Sequence, residues 1–395
     1  VSGRVLFYVQ HLLGIGHLRR TATLTRAMQE GGLSVTVVSG GHEIPGLDLG
    51  GAELVQLPAT RAVDESFKTL VDAEGRVVDE AWKAERREAL LAVLERVRPQ
   101  VVMTELFPFG RRQMRFELLP LLDAAAASVP RPAILSSVRD ILVAQEKPER
   151  NDEMLDLVRR YFDGVLVHGD PGLIPFDRTF PHARRIADRI RYTGYVVDMS
   201  GQRGGPGSPG HDEVLVSAGG GAVGRMLLEA AIAAKRRCLH ADARWRVLVG
   251  VAESDSAFRE LTQQAQAAQR RHGGGEIVVE RARGDFPTLL SNARLSISQG
   301  GYNTTMEILR AKVPAVVVPY AAKAETEQTL RAELLQARGL LHVLPQAGLT
   351  PEALAAACDA ATTPAALAAA RPLDTDGAAA TARIVAELAA ARVRA

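Results

Sequence analysis

The stretch from Ser298 to Glu307 combines two adjacent glycines, Gly300 and Gly301, with two hydroxyls, Thr304 and Thr305, and a carboxylate, Glu307. An apolar run at 293–297 precedes it and helix-forming residues continue to about 311. The pattern is a strand, a glycine turn and a helix start. Glycine lets a backbone come close to a ligand, and the first N–H groups of a helix have no partner within it. With the positive end of the helix dipole they form a site for an anion such as a diphosphate. One turn into the helix, Glu307 could accept hydrogen bonds from the vicinal hydroxyls of a ribose. A second reading needs no ligand, because Thr304-x-x-Glu307 is also a capping box.

A histidine, His17, follows the glycine turn Gly14-Ile15-Gly16 near the start of a helix. At the carboxyl end of a strand an imidazole can act as a general base toward a hydroxyl or water. Its plainer role is to cap its own helix or to be hydrogen-bonded within the fold. Arg19 and Arg20 put two cations in the first helical turn, against the dipole, at about 0.3–1 kcal/mol each. Such a placement suits an arginine that meets a phosphate or a carboxylate, or one held in an ordinary salt bridge. Glu105, and the pair Arg139-Asp140, each stand at the end of an apolar run, and parallel sheets place their ligand contacts there.

Three further groups are polar and suitably placed. Gly219, Gly220 and Gly221 open a second glycine turn, which could approach a phosphate or only pack tightly. Lys323, Glu327 and Gln328 follow the apolar run at 315–318 and could bind sugar hydroxyls or start a surface helix. Asp374 and Asp376 have the look of a metal pair but lie among small residues. We read no metal site there, and no Walker A, HExxH, zinc or GxSxG pattern elsewhere.

The elements that must position these groups alternate strand and helix. Apolar β-branched runs at 4–9, 34–39, 53–57, 101–104, 133–137 and 165–167 alternate with helical segments, including a charged one at 77–97. After 200–210, rich in glycine and proline, the pattern restarts with runs at 213–217, 245–249, 277–279, 293–297, 315–318 and 340–344. This predicts an α/β protein of two doubly wound parallel-sheet domains facing across a cleft. The expected boundaries are 1–197, a flexible linker or long loop at 198–211, 212–372, and a C-terminal helix at 373–395 that could return to the first domain.

Composition bounds the class. With 395 residues, 47% apolar and 24% charged, the chain has the make-up of a two-domain soluble globular protein, and a net charge of +2 does not point to nucleic acid. Two cysteines and no long apolar run predict a reducing, cytoplasmic setting. The arginines at 184, 185, 189 and 191 read as a solvated face or as a contact for an anionic membrane surface.

Together these residues resemble the GT-B superfamily of nucleotide-sugar enzymes, and within it glycosyltransferase family 28, typified by the N-acetylglucosaminyltransferase that forms lipid II. Gly14-Ile15-Gly16-His17 is similar to that family's N-terminal loop, 217–224 to its second glycine loop, and Gly301 to Glu307 with Pro314, Pro319, Lys323, Glu327 and Gln328 to its donor signature. The resemblance implies two Rossmann-like domains and an inverting, metal-independent transferase that needs no cofactor and uses a nucleoside diphosphate sugar, most simply UDP-linked. It implies His17 as the base, and Gly219, Gly220, Gly221, Gly301, Thr304 and Thr305 on the diphosphate. It further implies Glu307 on the ribose, a base-binding loop around Glu280 and Arg281, and Lys323, Glu327 and Gln328 on the sugar. Gly14, Gly16, Arg19, Arg20, Glu105, Arg139 and Asp140 fall on the acceptor side, where a small or lipid-linked alcohol is expected. The start of the chain also resembles a smaller UDP-sugar hydrolase of the same superfamily, so a hydrolase or epimerase is the alternative. A non-catalytic nucleotide-sugar binder is a third reading. Neither the sugar, the acceptor nor the oligomeric state can be read from the sequence.

Overall fold

The protein is described from a computed structural model, which covers residues 3–64, 67, 69–142, 148–197, 201–218, 224–251, 253–320, 327–369 and 373–394. The chain divides into two units, Val1–Val196 with Asp374–Ala395, and Val197–Leu373.

The first unit runs β1 (Arg4–Val9), α1 (Gly16–Glu30), β2 (Ser34–Ser39), β3 (Glu53–Gln56), a short pair β4 (Arg61–Ala62) and β5 (Leu70–Val71), α2 (Glu80–Val97) and β6 (Val101–Glu105). It continues through α3 (Arg115–Ala127), β7 (Ala133–Arg139), α4 (Pro148–Tyr161), β8 (Gly164–His168) and β9 (Ile190–Tyr192). Seven parallel strands pair in the order β3-β2-β1-β6-β7-β8-β9. Because helices cover both faces, the central strands are buried on both sides and read as continuous apolar runs. Leu6 and Tyr8 join a core with Leu118 and Leu122 of α3, while Val5, Phe7 and Val9 pack with Leu24 and Met28 of α1. Ala382, Val385 and Ala389 of the C-terminal helix Gly377–Arg394 belong to this second core.

The second unit runs β10 (Val214–Ser217), α5 (Arg225–Ala234), β11 (Trp245–Val249), α6 (Asp255–His272), β12 (Ile277–Arg281), α7 (Phe286–Asn292), β13 (Leu295–Ser298), α8 (Tyr302–Ala311), β14 (Ala315–Val317), α9 (Glu327–Ala337), β15 (His342–Val343) and α10 (Pro351–Ala361). Its six strands are parallel in the order β12-β11-β10-β13-β14-β15. In each unit the chain builds outward from its first strand, then returns to that strand's other side. The reversal falls between β1 and β6, and between β10 and β13. Doubly wound sheets open a crevice at the carboxyl ends of such neighbours.

Residues 201–210 form a long loop. The Gly204 N–H donates to Asn292 Oδ1 at 2.7 Å, and Asn292 Nδ2 donates to the carbonyls of Gln202 and Pro209. One side chain thus ties three points of the loop to the end of α7.

Candidate active site

Every group at the first reversal comes from a strand end or the turn after it. His17 is the second residue of α1, whose N-cap position is Ile15 and carries no side-chain cap. The imidazole is therefore not spent on its own helix. Its Nδ1 lies 2.8 Å from Oε1 of Glu105, the last residue of β6. Arg20, one turn further along α1, bonds the same carboxylate oxygen. Oε2 of Glu105 accepts from Ser137 Oγ at 2.7 Å, so both oxygens are fixed. Register explains the meeting, since Glu105 pairs with Ser137 across β6 and β7.

These contacts fix the protonation states. Burial pushes the Glu105 carboxyl up, but Arg20 and the bonds from His17 and Ser137 outweigh it and hold it well below the usual carboxylate range. An ionised carboxylate only accepts, so Nδ1 of His17 carries the proton. Nε2 then bears the lone pair, and the guanidinium of Arg139, which can only donate, has Nη2 3.5 Å from it. The 3.3 Å approach of Arg20 to Nδ1 follows from their shared oxygen. Burial lowers the imidazole to about 3 against the raising effect of Glu105, with Arg111 and Arg139 lowering it further. His17 is neutral at ordinary pH, as a base must be before it acts.

The network extends past what the sequence suggested. Ser137 Oγ gives its one proton to the charged carboxylate, so it accepts from His168 Nε2 at 2.9 Å. His168 Nδ1 in turn meets Thr193 Oγ1 at 2.8 Å. His168 is fully buried, and burial lowers it to about 3. Ser137, His168 and Thr193 were given no such role from the sequence, because each lies in a strand or after one and joins Glu105 only through pairing between distant segments. Arg19 is exposed and, among the described residues, has no ion pair, while Arg20 is buried. Gly16 opens α1, and Gly14 precedes it with open space around the position of a Cβ. Asp140 departs from the expected acceptor role. It is fully buried, and its carboxylate accepts from the Ile141 N–H and the Tyr195 hydroxyl.

At the second reversal, β10 and β13 end side by side with Ser217 opposite Ser298. Gly219, Gly220 and Gly221 lie outside the described residues, as does Lys323. After β13, Gly300 has φ +79°, and a Cβ there would come within 2.4 Å of Val317. Only glycine fits the turn. Gly301 is the N-cap position of α8, has ordinary negative φ, and has nothing within 4 Å of where a Cβ would stand. Gly301 makes no side-chain cap bond at this helix start. Helix α8 therefore starts at Tyr302, two residues ahead of Thr304. Thr304 is the third residue inside the helix, so the capping-box reading of Thr304 and Glu307 falls. Thr305 is buried, and Glu307 is half-buried in the second turn.

One donor-side expectation is corrected. Glu280 and Arg281 are the last two residues of β12, paired with Leu248 and Val249, and not a loop. Glu280 accepts from Arg246 at 2.7 Å, and Arg281 donates to Asp255 at 2.6 Å. Charges sit in this strand because it is the edge of the sheet and half-exposed. Glu327 is buried at the start of α9 and paired with Arg331 at 2.9 Å, whose guanidinium lies over the Tyr302 ring. Gln328 accepts from the Tyr320 N–H at 3.2 Å.

Among the described residues no cluster of three or more His, Cys, Asp or Glu could hold a metal, and no helix is long and apolar enough to cross a membrane. In the arginine group at 184–191, Arg184 pairs with Asp177, Arg185 pairs with Asp152, and Arg189 donates to carbonyls at the end of α4.

Comparison with known proteins agrees with this architecture. Residues 221–384 match the model of the glycosyltransferase family 28 C-terminal domain. A 72-residue segment is 36% identical to the UDP-N-acetylglucosamine--N-acetylmuramyl-(pentapeptide) pyrophosphoryl-undecaprenol N-acetylglucosamine transferase of Rhodospirillum centenum, covering 18% of this chain and 19% of that protein. The chain thus matches about a fifth of the length of this curated relative. Over nearly all of both chains the fold is similar to a UDP-glucosyltransferase from Polygonum tinctorium (TM-score 0.63, 15% identity, 99% of each chain). It is also similar to MurG of Acinetobacter baumannii (TM-score 0.60, 16% identity, 97% of this chain and 98% of that one).

Proposed function

We propose that this chain, GT-B in fold and family 28-like in its C-terminal half, is an inverting glycosyltransferase that moves a sugar from a nucleoside diphosphate to an acceptor hydroxyl. The observation that carries the reading is the pairing of His17 Nδ1 with ionised Glu105, which leaves Nε2 as the basic atom. In the reaction Nε2 takes the proton of the acceptor hydroxyl, whose oxygen attacks the anomeric carbon. The bond from that carbon to the diphosphate breaks on the opposite side, and the nucleoside diphosphate leaves with the electron pair. Glu105 then faces an imidazolium, a charge pair absent before the reaction, so it stabilises the transition state more than the ground state. The start of α8 suits the departing diphosphate, a preorganised positive end that needs no metal. Open space at Gly301 allows the phosphates to reach the backbone, and Glu307 suits the ribose hydroxyls. We take the donor as UDP-linked, in line with the name of the Rhodospirillum relative. The acceptor is a small or lipid-linked alcohol, and the setting is the cytoplasm.

A thermal-melt panel with UDP, dTDP, GDP and ADP tests the donor site. A ligand at about 100 times its dissociation constant adds about 2.7 kcal/mol of stability. We expect a shift with UDP that Glu307→Ala removes. A shift that survives this substitution would refute the ribose assignment, and no shift with any nucleotide would overturn the donor reading.

A further inference from the structure

Four neighbouring strands of the first unit carry a row of polar side chains at their carboxyl ends, and proton abstraction uses only the first of them. Glu105 closes β6, Ser137 lies in β7, His168 closes β8 and Thr193 follows β9. All four are buried, with Ser137 and His168 wholly closed to solvent. Register brings them together. Strand β7 pairs with β6 on one side and β8 on the other, and the Thr193 N–H donates to the Val167 carbonyl at 3.1 Å just beyond the pairing of β8 with β9. So deeply set a histidine acts on the reaction only through its neighbours.

The direction of each bond follows from the ionised end. Ser137 spends its one proton on Glu105 Oε2 at 2.7 Å, so His168 Nε2, 2.9 Å from the same hydroxyl, is the donor. Burial keeps the ring neutral, and a neutral imidazole protonated at Nε2 is bare at Nδ1. The Thr193 hydroxyl has three acceptors in reach, the Val167 carbonyl at 3.5 Å, the Gly194 carbonyl at 3.0 Å and Nδ1 at 2.8 Å. Only donation to Nδ1 keeps two lone pairs from facing each other across the shortest of these contacts. Every proton in the chain therefore points toward Glu105.

We propose that His168 is a positioning residue for the base. Held at Nδ1 by Thr193, its Nε2–H keeps the Ser137 hydroxyl turned onto Glu105, and the fixed carboxylate holds His17 in the Nδ1–H tautomer that leaves Nε2 basic. Without that donor the hydroxyl rotates, and one oxygen of Glu105 loses its bond for part of the time. The inference rests on the transferase reading for its catalytic meaning, but the tautomers and bonds are read without turnover.

The experiment is NMR of the full chain with heavy-nitrogen-labelled histidines, the His17 and His168 signals being assigned by His17→Gln and His168→Phe. We expect His17 protonated at Nδ1 and His168 at Nε2. His168→Phe fills similar space without a donor, while His168→Gln keeps an N–H at similar reach. The His17 N–H signal should move in His168→Phe, move the same way in Ser137→Ala, and stay near wild type in His168→Gln. Thr193→Val, which leaves the ring in place, should move it in the same direction and serves if His168→Phe does not fold. In consumption of UDP-N-acetylglucosamine, His168→Phe should lower kcat about three- to tenfold, the scale of one hydrogen bond, with UDP affinity unchanged. In a Ser137→Ala background it should cost nothing more, because its effect passes through that hydroxyl. Protonation of His168 at Nδ1 would overturn the proposal. So would an unmoved His17 signal in folded His168→Phe or Thr193→Val, or equal losses from His168→Phe with and without the Ser137 hydroxyl. No consumption of the donor by wild type, with the His17 signal still answering to His168, would count against the transferase reading and leave this chain standing.

Discussion

Glu105→Gln removes one charge from the proposed catalytic pair and little volume. The side chain is 1% exposed and bonded to His17, Arg20 and Ser137, so the replacement stays in place while the imidazolium formed in the reaction loses its counter-charge. Two unit charges about 4 Å apart at an effective dielectric of about 20 attract by about 4 kcal/mol. Arg20 shares the carboxylate and offsets part of that field, so we expect about 2.7–4 kcal/mol, or 10²–10³ in rate. The assay is nucleoside diphosphate release from the donor, with water as acceptor where no alcohol is in hand. The loss should fall on kcat, with UDP affinity unchanged. Stability should fall as well, because the buried Arg20 guanidinium loses the counter-charge of Glu105, a change of up to about 3–5 kcal/mol. Rates are therefore compared at a temperature where circular dichroism shows both proteins folded. A folded Glu105→Gln enzyme working at near wild-type rate would refute the reasoning.

Four further outcomes follow from the same geometry. Gly300→Ala should lower the melting point by an amount equivalent to about 1–3 kcal/mol, from strain at φ +79° and the clash with Val317. Gly301→Ala should leave stability nearly unchanged and weaken UDP, since its Cβ meets only the space assigned to the diphosphate; the reverse pattern would remove that assignment. Ser137→Ala should slow turnover with little effect on UDP binding, by freeing one oxygen of Glu105. His17 and His168 are both held near 3, below the free value of about 6.5. Between those values the unfolded chain takes up protons that the native state refuses, so stability is full above about pH 6.5 and declines as pH falls toward 3. The two together give at most about 2.7 kcal/mol per pH unit. Urea melts from pH 7 to 5 measure that slope, and His168→Asn should reduce it.

Most of the fold was legible because parallel strands buried on both faces must be apolar, and 4–9, 34–39 and 245–249 coincide with β1, β2 and β11. The misses have local causes. Strand β12 extends through Glu280 and Arg281, since an edge strand tolerates charges that pair with neighbours. The start of α8 is set by Gly300 and Gly301, ahead of the threonine and glutamate that resemble a cap. His17 was singled out from its place after a glycine turn. Glu105 was singled out as a strand end, but its pairing with His17 was not, because it lies 88 residues away and reaches the imidazole only through the pairing of β1 with β6.

Single-turnover donor consumption by His17→Ala, with UDP affinity measured on the same sample, tests the central claim most directly. Removing a positioned base should cost about 10²–10⁴ in rate, while UDP binds as in wild type. Near wild-type turnover by His17→Ala would contradict the account, because Glu105 and its network would then be holding an imidazole that the reaction does not use.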